Sequence, residues 1–127
     1  MKFSFDKTKS LIRVLAFVHG PNEVCRAIMA LDTGATRTCL SPEILDQSGN
    51  DIASATEFAN LTTANGSVSV PSIPVFAFRC LGHTKAGFQV HALKFPASTG
   101  IEGLLGLDFL RDRDLRIDFR NGTLELV

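Results

Sequence analysis

The apolar run Ala27-Ile28-Met29-Ala30-Leu31 ends abruptly in Asp32-Thr33-Gly34-Ala35-Thr36, and this junction constrains the chain more than any other stretch. The run reads as a buried strand that delivers one carboxylate at its end. Glycine two residues later lets the backbone turn sharply and leaves Asp32 pointing out of the sheet. An Asp-Thr-Gly sequence is also an ordinary turn, because Asp and Gly both favour turns. The junction therefore gains weight only from a second feature in the right place. Near the C-terminus, Ile101-Glu102-Gly103-Leu104-Leu105-Gly106-Leu107-Asp108-Phe109-Leu110 supplies it.

The 127 residues suit one domain, 1–127, that can bury about two-thirds of its unfolded surface without covalent staples. Thirteen basic and thirteen acidic residues give zero formal net charge, and no basic stripe is visible, so nucleic acid is not an expected partner. Ten Phe with no Tyr or Trp fit a small apolar core better than a stacking platform. Cys25, Cys39 and Cys80 are odd in number and share no close spacing. They read as reduced, buried thiols, with neither a disulfide framework nor a metal site expected. Met1 to Asp6 lacks the apolar core and cleavage site of a signal peptide, and no run is long enough to span a membrane. A cytoplasmic location is the expectation for these residues.

Turn chemistry divides the chain into short strands. Leu11 to Val18 and Val24 to Leu31 form a hairpin around His19-Gly20-Pro21-Asn22, with His19 solvated in the turn. Ser41-Pro42-Glu43 starts a helix running to about Gln47, with Ser41 as cap. Residues Asp51 to Asn60 are mixed in character and suit no single element. Leu61 to Val70 read as a hairpin turning on Asn65-Gly66 in a two-residue type I′ turn, where both positions need positive φ. That turn places Leu61, Thr63, Val68 and Val70 on one face and Thr62, Ala64, Ser67 and Ser69 on the other. Pro71 to Pro74 breaks the pattern. Val75 to Leu81 and Lys85 to Leu93 are two further strands around Gly82-His83, with His91 half-exposed on the Gln89 face. Neither His83 nor His91 is expected to be catalytic. Leu115 to Arg120 reads as a half-buried strand, Asn121-Gly122 as a second type I′ turn, and Thr123 to Val127 as a closing strand.

Asp32-Thr33-Gly34-Ala35 and Leu104-Leu105-Gly106 together resemble the two signature segments of the retropepsin-like aspartic proteases. These are single-lobed, homodimeric relatives of pepsin found in retroviruses, bacteria and the eukaryotic DNA-damage-inducible proteins. The Gly106-Leu107-Asp108-Phe109-Leu110 continuation is most similar to the cellular and bacterial branch, and the resemblance runs from about Leu11 to Val127. It implies an all-β fold, a closed-barrel retropepsin-like lobe with one or two short helices. It also implies an aspartic endopeptidase that needs no metal or other cofactor, with Asp32 as its catalytic residue. In that reading Thr33 clamps the loop of a second subunit. Gly34 lets a backbone amide approach the carboxylate, and Ala35 and Thr36 complete the supporting loop. Ala64, Asn65, Gly66 and Ser67 form the flap over bound peptide, and Leu104, Leu105 and Gly106 form the second motif, with both leucines expected in the core. Retroviral members pair an Asp after Asp-Thr-Gly-Ala with an Arg after the second-motif glycine. Here Thr36 and Leu107 stand at those positions, so both partners are absent together and no orphan charge is buried.

Hydrolysis of a peptide bond by carboxylates needs two of them, one accepting a proton from water and one donating to the carbonyl oxygen. At a separation of about 3 Å they cannot both ionise, so they share one proton. The chain supplies one such Asp, which makes a homodimer with Asp32 from each subunit the expected active unit, its interface carried mainly by Thr123 to Val127. The expected partners are a second copy and a peptide or protein substrate. The alternative is a catalytically silent peptide-binding or dimerisation domain on the same fold.

Overall fold

The computed structural model describes residues 1–127, apart from the side chain of Thr63. Ten strands and two short helices follow in the order β1 (Phe3–Ser4), β2 (Arg13–His19), β3 (Val24–Leu31), β4 (Cys39–Leu40), α1 (Pro42–Ser48), β5 (Glu57–Thr63), β6 (Gly66–Cys80), β7 (His83–Ala92), β8 (Gly103–Leu105), α2 (Leu107–Leu110), β9 (Leu115–Asp118) and β10 (Thr123–Leu126). Six strands, in the order β2-β3-β8-β4-β7-β6, form a ring that closes where β6 pairs back onto β2, and β5 hangs from β6 outside it. Closure removes the sheet edges, so the barrel presents no long unpaired template. A second sheet has the order β1-β10-β9.

Period-two alternation builds the barrel wall. Val14, Ala16 and Val18 of β2 and Cys25, Ala27 and Met29 of β3 point into the core, while Leu15 and Ile28 between them are exposed. Phe78, Phe88 and Phe109 meet in the interior with ring centroids 5.2–5.8 Å apart. The contact pins α2 against β6 and β7. Helix α1 starts as expected: Ile44 N–H donates to Ser41 Oγ (3.4 Å), Pro42 occupies the first turn, and Gly49 ends the helix at φ 89°. Ile44 and Leu45 are its buried side. Asp51 caps a single 3₁₀ turn, Ile52–Ser54, in the stretch the sequence left unplaced.

Several turns differ from expectation. The β5–β6 register is Thr63↔Gly66, Thr62↔Ser67 and Leu61↔Val68, so the connecting residues are Ala64 and Asn65. Of Asn65 and Gly66 only Gly66 has positive φ, 113°. This excludes the type I′ turn, in which Asn65 would also need positive φ. The pairing slips by an even number of positions. Leu61, Val68 and Val70 therefore keep a common face, as expected; Thr63, grouped with them, lies outside the described side chains. The turn with two successive left-handed residues is instead Leu81-Gly82, at φ 51° and 80°, between β6 and β7. Leu81 tolerates this conformation because its side chain is buried in the core. Asn121-Gly122 is not a two-residue turn either. It lies in a four-residue loop that Gly122 N–H closes on Asp118 O (2.9 Å), and Phe119 is exposed rather than half-buried.

Pro71 to Pro74 does not interrupt the chain as expected, since β6 runs through both prolines. Pro71 has a neighbour only in β5 (Phe58) and Pro74 only in β7 (Gln89). The prolines sit where β6 exchanges one partner for the other, so each has an open side for its missing N–H. The C-terminal strand was expected to carry a dimer interface, yet β10 is the middle strand of its sheet, bonded by β1 and β9. The outer edges there belong to Phe3–Ser4 and Leu115–Asp118.

Candidate active site

β3 ends at Asp32 because β8 runs parallel beside it, with Ala30↔Leu104 and Leu31↔Leu105 in register. Asp32 N–H donates to Leu105 O (3.0 Å), the last rung of that ladder. The chain then turns on itself: Gly34 N–H donates to Asp32 Oδ1 (2.9 Å), and Ala35 N–H donates to Asp32 O (3.1 Å). A Cβ on Gly34 would lie 3.1 Å from Asp32 Oδ1, a close approach to the carboxylate that the Gly34 amide holds. Asp32 is half-buried and makes no ion pair among the described residues. Thr33, Gly34 and Thr36 are exposed around it and Ala35 is half-buried.

The second motif passes directly beneath this loop. β8 is held by β3 on one side and by β4 on the other, where Cys39↔Leu104 and Leu40↔Gly103 pair antiparallel. Leu107 N–H donates to Ala35 O (2.8 Å) and Asp108 N–H to Thr36 O (3.2 Å). A Cβ on Gly106 would sit 2.7 Å from Arg37 C and 2.9 Å from Ala35 O. Glycine is required there by close backbone approach. Asp108 closes the arrangement. Its carboxylate accepts from Thr38 N–H at 3.0 Å and from Thr38 Oγ1–H at 2.7 Å, and Thr38 Oγ1 accepts in turn from Gly106 N–H at 3.1 Å. Thr38 is fully buried. The sequence reading missed this link. Its only signal was a carboxylate two residues after the second-motif glycine.

A cleft of about 500 Å³ opens beside the loop. Its floor includes Gly34 to Arg37, Cys39 and Leu104, and its roof is the stem of the β5–β6 hairpin at Ala59 to Thr62. The two second-motif leucines therefore divide: Leu105 is buried core, whereas Leu104, expected beside it in the core, lines the cleft. The hairpin tip, Ala64, Asn65, Gly66 and Ser67, is exposed beyond the cleft. Asn60 and Thr62 line the cleft instead, and the sequence did not assign them to the site. Cys39 faces the same cleft, but burial, reinforced by the charges of Asp108 and Asp32, pushes its thiol up to about 11, so it stays protonated and is no nucleophile. Among the described residues no three His, Cys, Asp or Glu side chains converge as a metal ion would require. No helix among them is long and apolar enough to cross a membrane.

A family model described as "gag-polyprotein putative aspartyl protease" matches residues 22–112, which contain both motifs. The crystal structure of a retropepsin-like aspartic protease from Rickettsia conorii superposes on 99% of this chain and 88% of its own, with TM-score 0.72 at 23% identity. The solution structure of Simian Foamy Virus (mac) protease superposes on 78% of this chain and 91% of its own, with TM-score 0.53 at 17% identity. No curated protein matches the chain. At such identities the structural likeness is one of fold, and it agrees with the closed barrel and the loop crossing described above. The family match runs from just before β3 to just beyond α2, most of the chain, and on that ground the protein belongs to the gag-polyprotein aspartyl protease family, built on a retropepsin-like lobe.

Proposed function

We propose that this chain is an aspartic endopeptidase, active as a homodimer in which Asp32 of each subunit meets its twin on a two-fold axis. The observation that carries the reading is the presentation of Asp32. A single carboxylate is fixed by Gly34 N–H on a loop whose following residues, Gly34 to Arg37, line a cleft, and the second motif braces that loop from below. A hydrolytic dyad needs two such groups, and two-fold symmetry is the simplest way to supply the second.

One Asp32, ionised, takes a proton from a water molecule as the water oxygen attacks the peptide carbonyl carbon. The other Asp32, protonated, gives its proton to the carbonyl oxygen, and a tetrahedral diol forms. Collapse of the diol breaks the C–N bond: the protonated Asp32 gives its proton to the leaving amine while the ionised Asp32 takes one from a diol hydroxyl, which restores the singly protonated pair. Thr33, exposed beside the carboxylate, is placed to bond the partner loop. Ala64, Asn65, Gly66 and Ser67 close as a flap, and the β5–β6 stem offers backbone partners to an extended peptide. The Gly106-Leu107-Asp108-Phe109-Leu110 continuation supports placement in the cellular and bacterial branch. Because β10 is covered on both sides, terminal contacts between subunits use the edges at Phe3–Ser4 and Leu115–Asp118.

The test is digestion of a diverse peptide pool at mildly acidic pH, with wild type and Asp32→Asn side by side. Cuts made by the wild type and absent with Asp32→Asn support the protease. Absence of cuts at protein concentrations that force dimers would leave a peptide-binding domain.

A further inference from the structure

Two nitrogen groups in the cleft have no role in the chemistry above. Arg37 follows the catalytic loop and is the one charged residue among those lining the cleft, which includes no carboxylate. Among the described residues its guanidinium makes no ion pair. His91 lies across from it on β7, in register with Cys39, and lines the same cleft. Its Nδ1 is buried with no hydrogen-bond partner among the described residues. A buried N–H without an acceptor is costlier and rarer than a bare acceptor. The neutral ring therefore keeps Nδ1 unprotonated and carries its proton on Nε2, on a residue that lines the cleft. Burial first, and the charge of Arg37 second, lower the His91 pKa and hold the ring neutral.

Two carboxylates are near enough to matter. Asp108 opposes Arg37 in its effect on His91, but its oxygens are already bonded to Thr38 from below. Asp32 belongs to the dyad. What remains among the cleft's lining residues is a cation and an N–H donor with no acceptor among the described residues, and Thr36, Asn60 and Thr62 line the same cleft. A carboxylate side chain satisfies both groups, whereas a Lys or Arg side chain would be repelled by Arg37.

Resting on the proposed protease reading, we infer that Arg37 and His91 form an acid-selective subsite that takes an Asp or Glu side chain of the bound peptide. The two-fold axis places one copy on each side of the scissile bond. Selectivity therefore shows at a pair of substrate positions, one before and one after the cut.

The experiment scores every cut in a randomised peptide pool made by wild type, Arg37→Ala, Arg37→Glu and His91→Leu. Wild-type cuts show Asp or Glu enriched about fivefold at the paired positions, the scale of an exposed ion pair such as Arg37 can make. Arg37→Ala and His91→Leu lower that enrichment, and Arg37→Glu replaces it with enrichment of Lys and Arg. Asp32-dependent cuts with no acidic enrichment, or with enrichment unchanged by Arg37→Glu, overturn the inference and leave the protease standing. Retention of the same pool on immobilised Asp32→Asn protein reads the subsite without catalysis. Acidic peptides retained by Asp32→Asn, and basic ones by Asp32→Asn with Arg37→Glu, support the subsite even if no peptide is cut. Retained pools of equal charge overturn it.

Discussion

The Asp108 carboxylate accepts from both the backbone N–H and the hydroxyl of buried Thr38, and so fastens α2 to the strand that leaves the Asp32 loop. Thr38 passes the restraint on to Gly106 N–H. Retroviral relatives use an ion pair for this purpose, by the family resemblance, and both of its members are missing here. A charge-assisted hydrogen bond from an uncharged partner takes over the mechanical role and buries no second ion.

Asp108→Ala strands the Thr38 N–H and hydroxyl in the interior. It lowers unfolding stability by about 2 kcal/mol, within the range for unsatisfied buried donors. The loss is read as a shift in urea midpoint at unchanged slope. Thr38→Val combined with Asp108→Ala costs less than the sum of the single changes, because the two residues share one interaction. Additive losses would show that the link contributes nothing of its own.

Gly106→Ala places a methyl within 2.7 Å of Arg37 C and 2.8 Å of Arg37 O, both backbone atoms that cannot swing aside. The expected cost is about 2 kcal/mol or more, the scale of overpacking in a tight interior. Cleavage falls further than stability does, because the displaced backbone is the one that braces Asp32. Assays at a temperature where the variant is still folded separate the two effects.

Phe109→Ala removes one corner of the Phe78–Phe88–Phe109 cluster and costs about 3 kcal/mol or more. Phe109→Leu costs less, since it refills most of the volume. The measurement is thermal or urea unfolding of both variants. Equal losses would mean that ring packing, rather than burial area, dominates at this position.

Stability also depends on alkaline pH. Burial pushes the Cys39 thiol up to about 11 and the Cys80 thiol up to about 12, from 9.0 in the unfolded chain. Folding therefore favours the protonated thiols. The contribution is complete below pH 9 and declines as the unfolded chain begins to ionise. It is lost as pH rises through about 11 to 12. Unfolding titrations from pH 8 to 11 show a falling urea midpoint, and Cys39→Ser with Cys80→Ala flattens the decline. Both thiols resist alkylation at pH 8 in the folded protein and react in urea.

The strand that ends at Asp32, its Asp-Thr-Gly turn, the second motif, the β2–β3 hairpin and α1 were legible in the sequence, because each is written in local chemistry: a run of apolar residues, a cap, a glycine where backbones crowd. Asn65-Gly66 misled because a dipeptide preference is weak beside the register that neighbouring strands impose. Leu81, which no turn rule favours, takes the left-handed position because burial of its side chain holds it there. Pro71 and Pro74 lost their force as strand breakers once β6 had a partner on only one side of each. Asp108 meets Thr38 across 70 residues, and Arg37 and His91 line one cleft. No local pattern encodes either meeting. The sequence by itself determined the chemistry that could be delivered, one carboxylate on a turn. Tertiary structure decided what surrounds it, because closure of the barrel brings β4, β7 and β8 side by side, and only then do residues far apart in the chain share one wall.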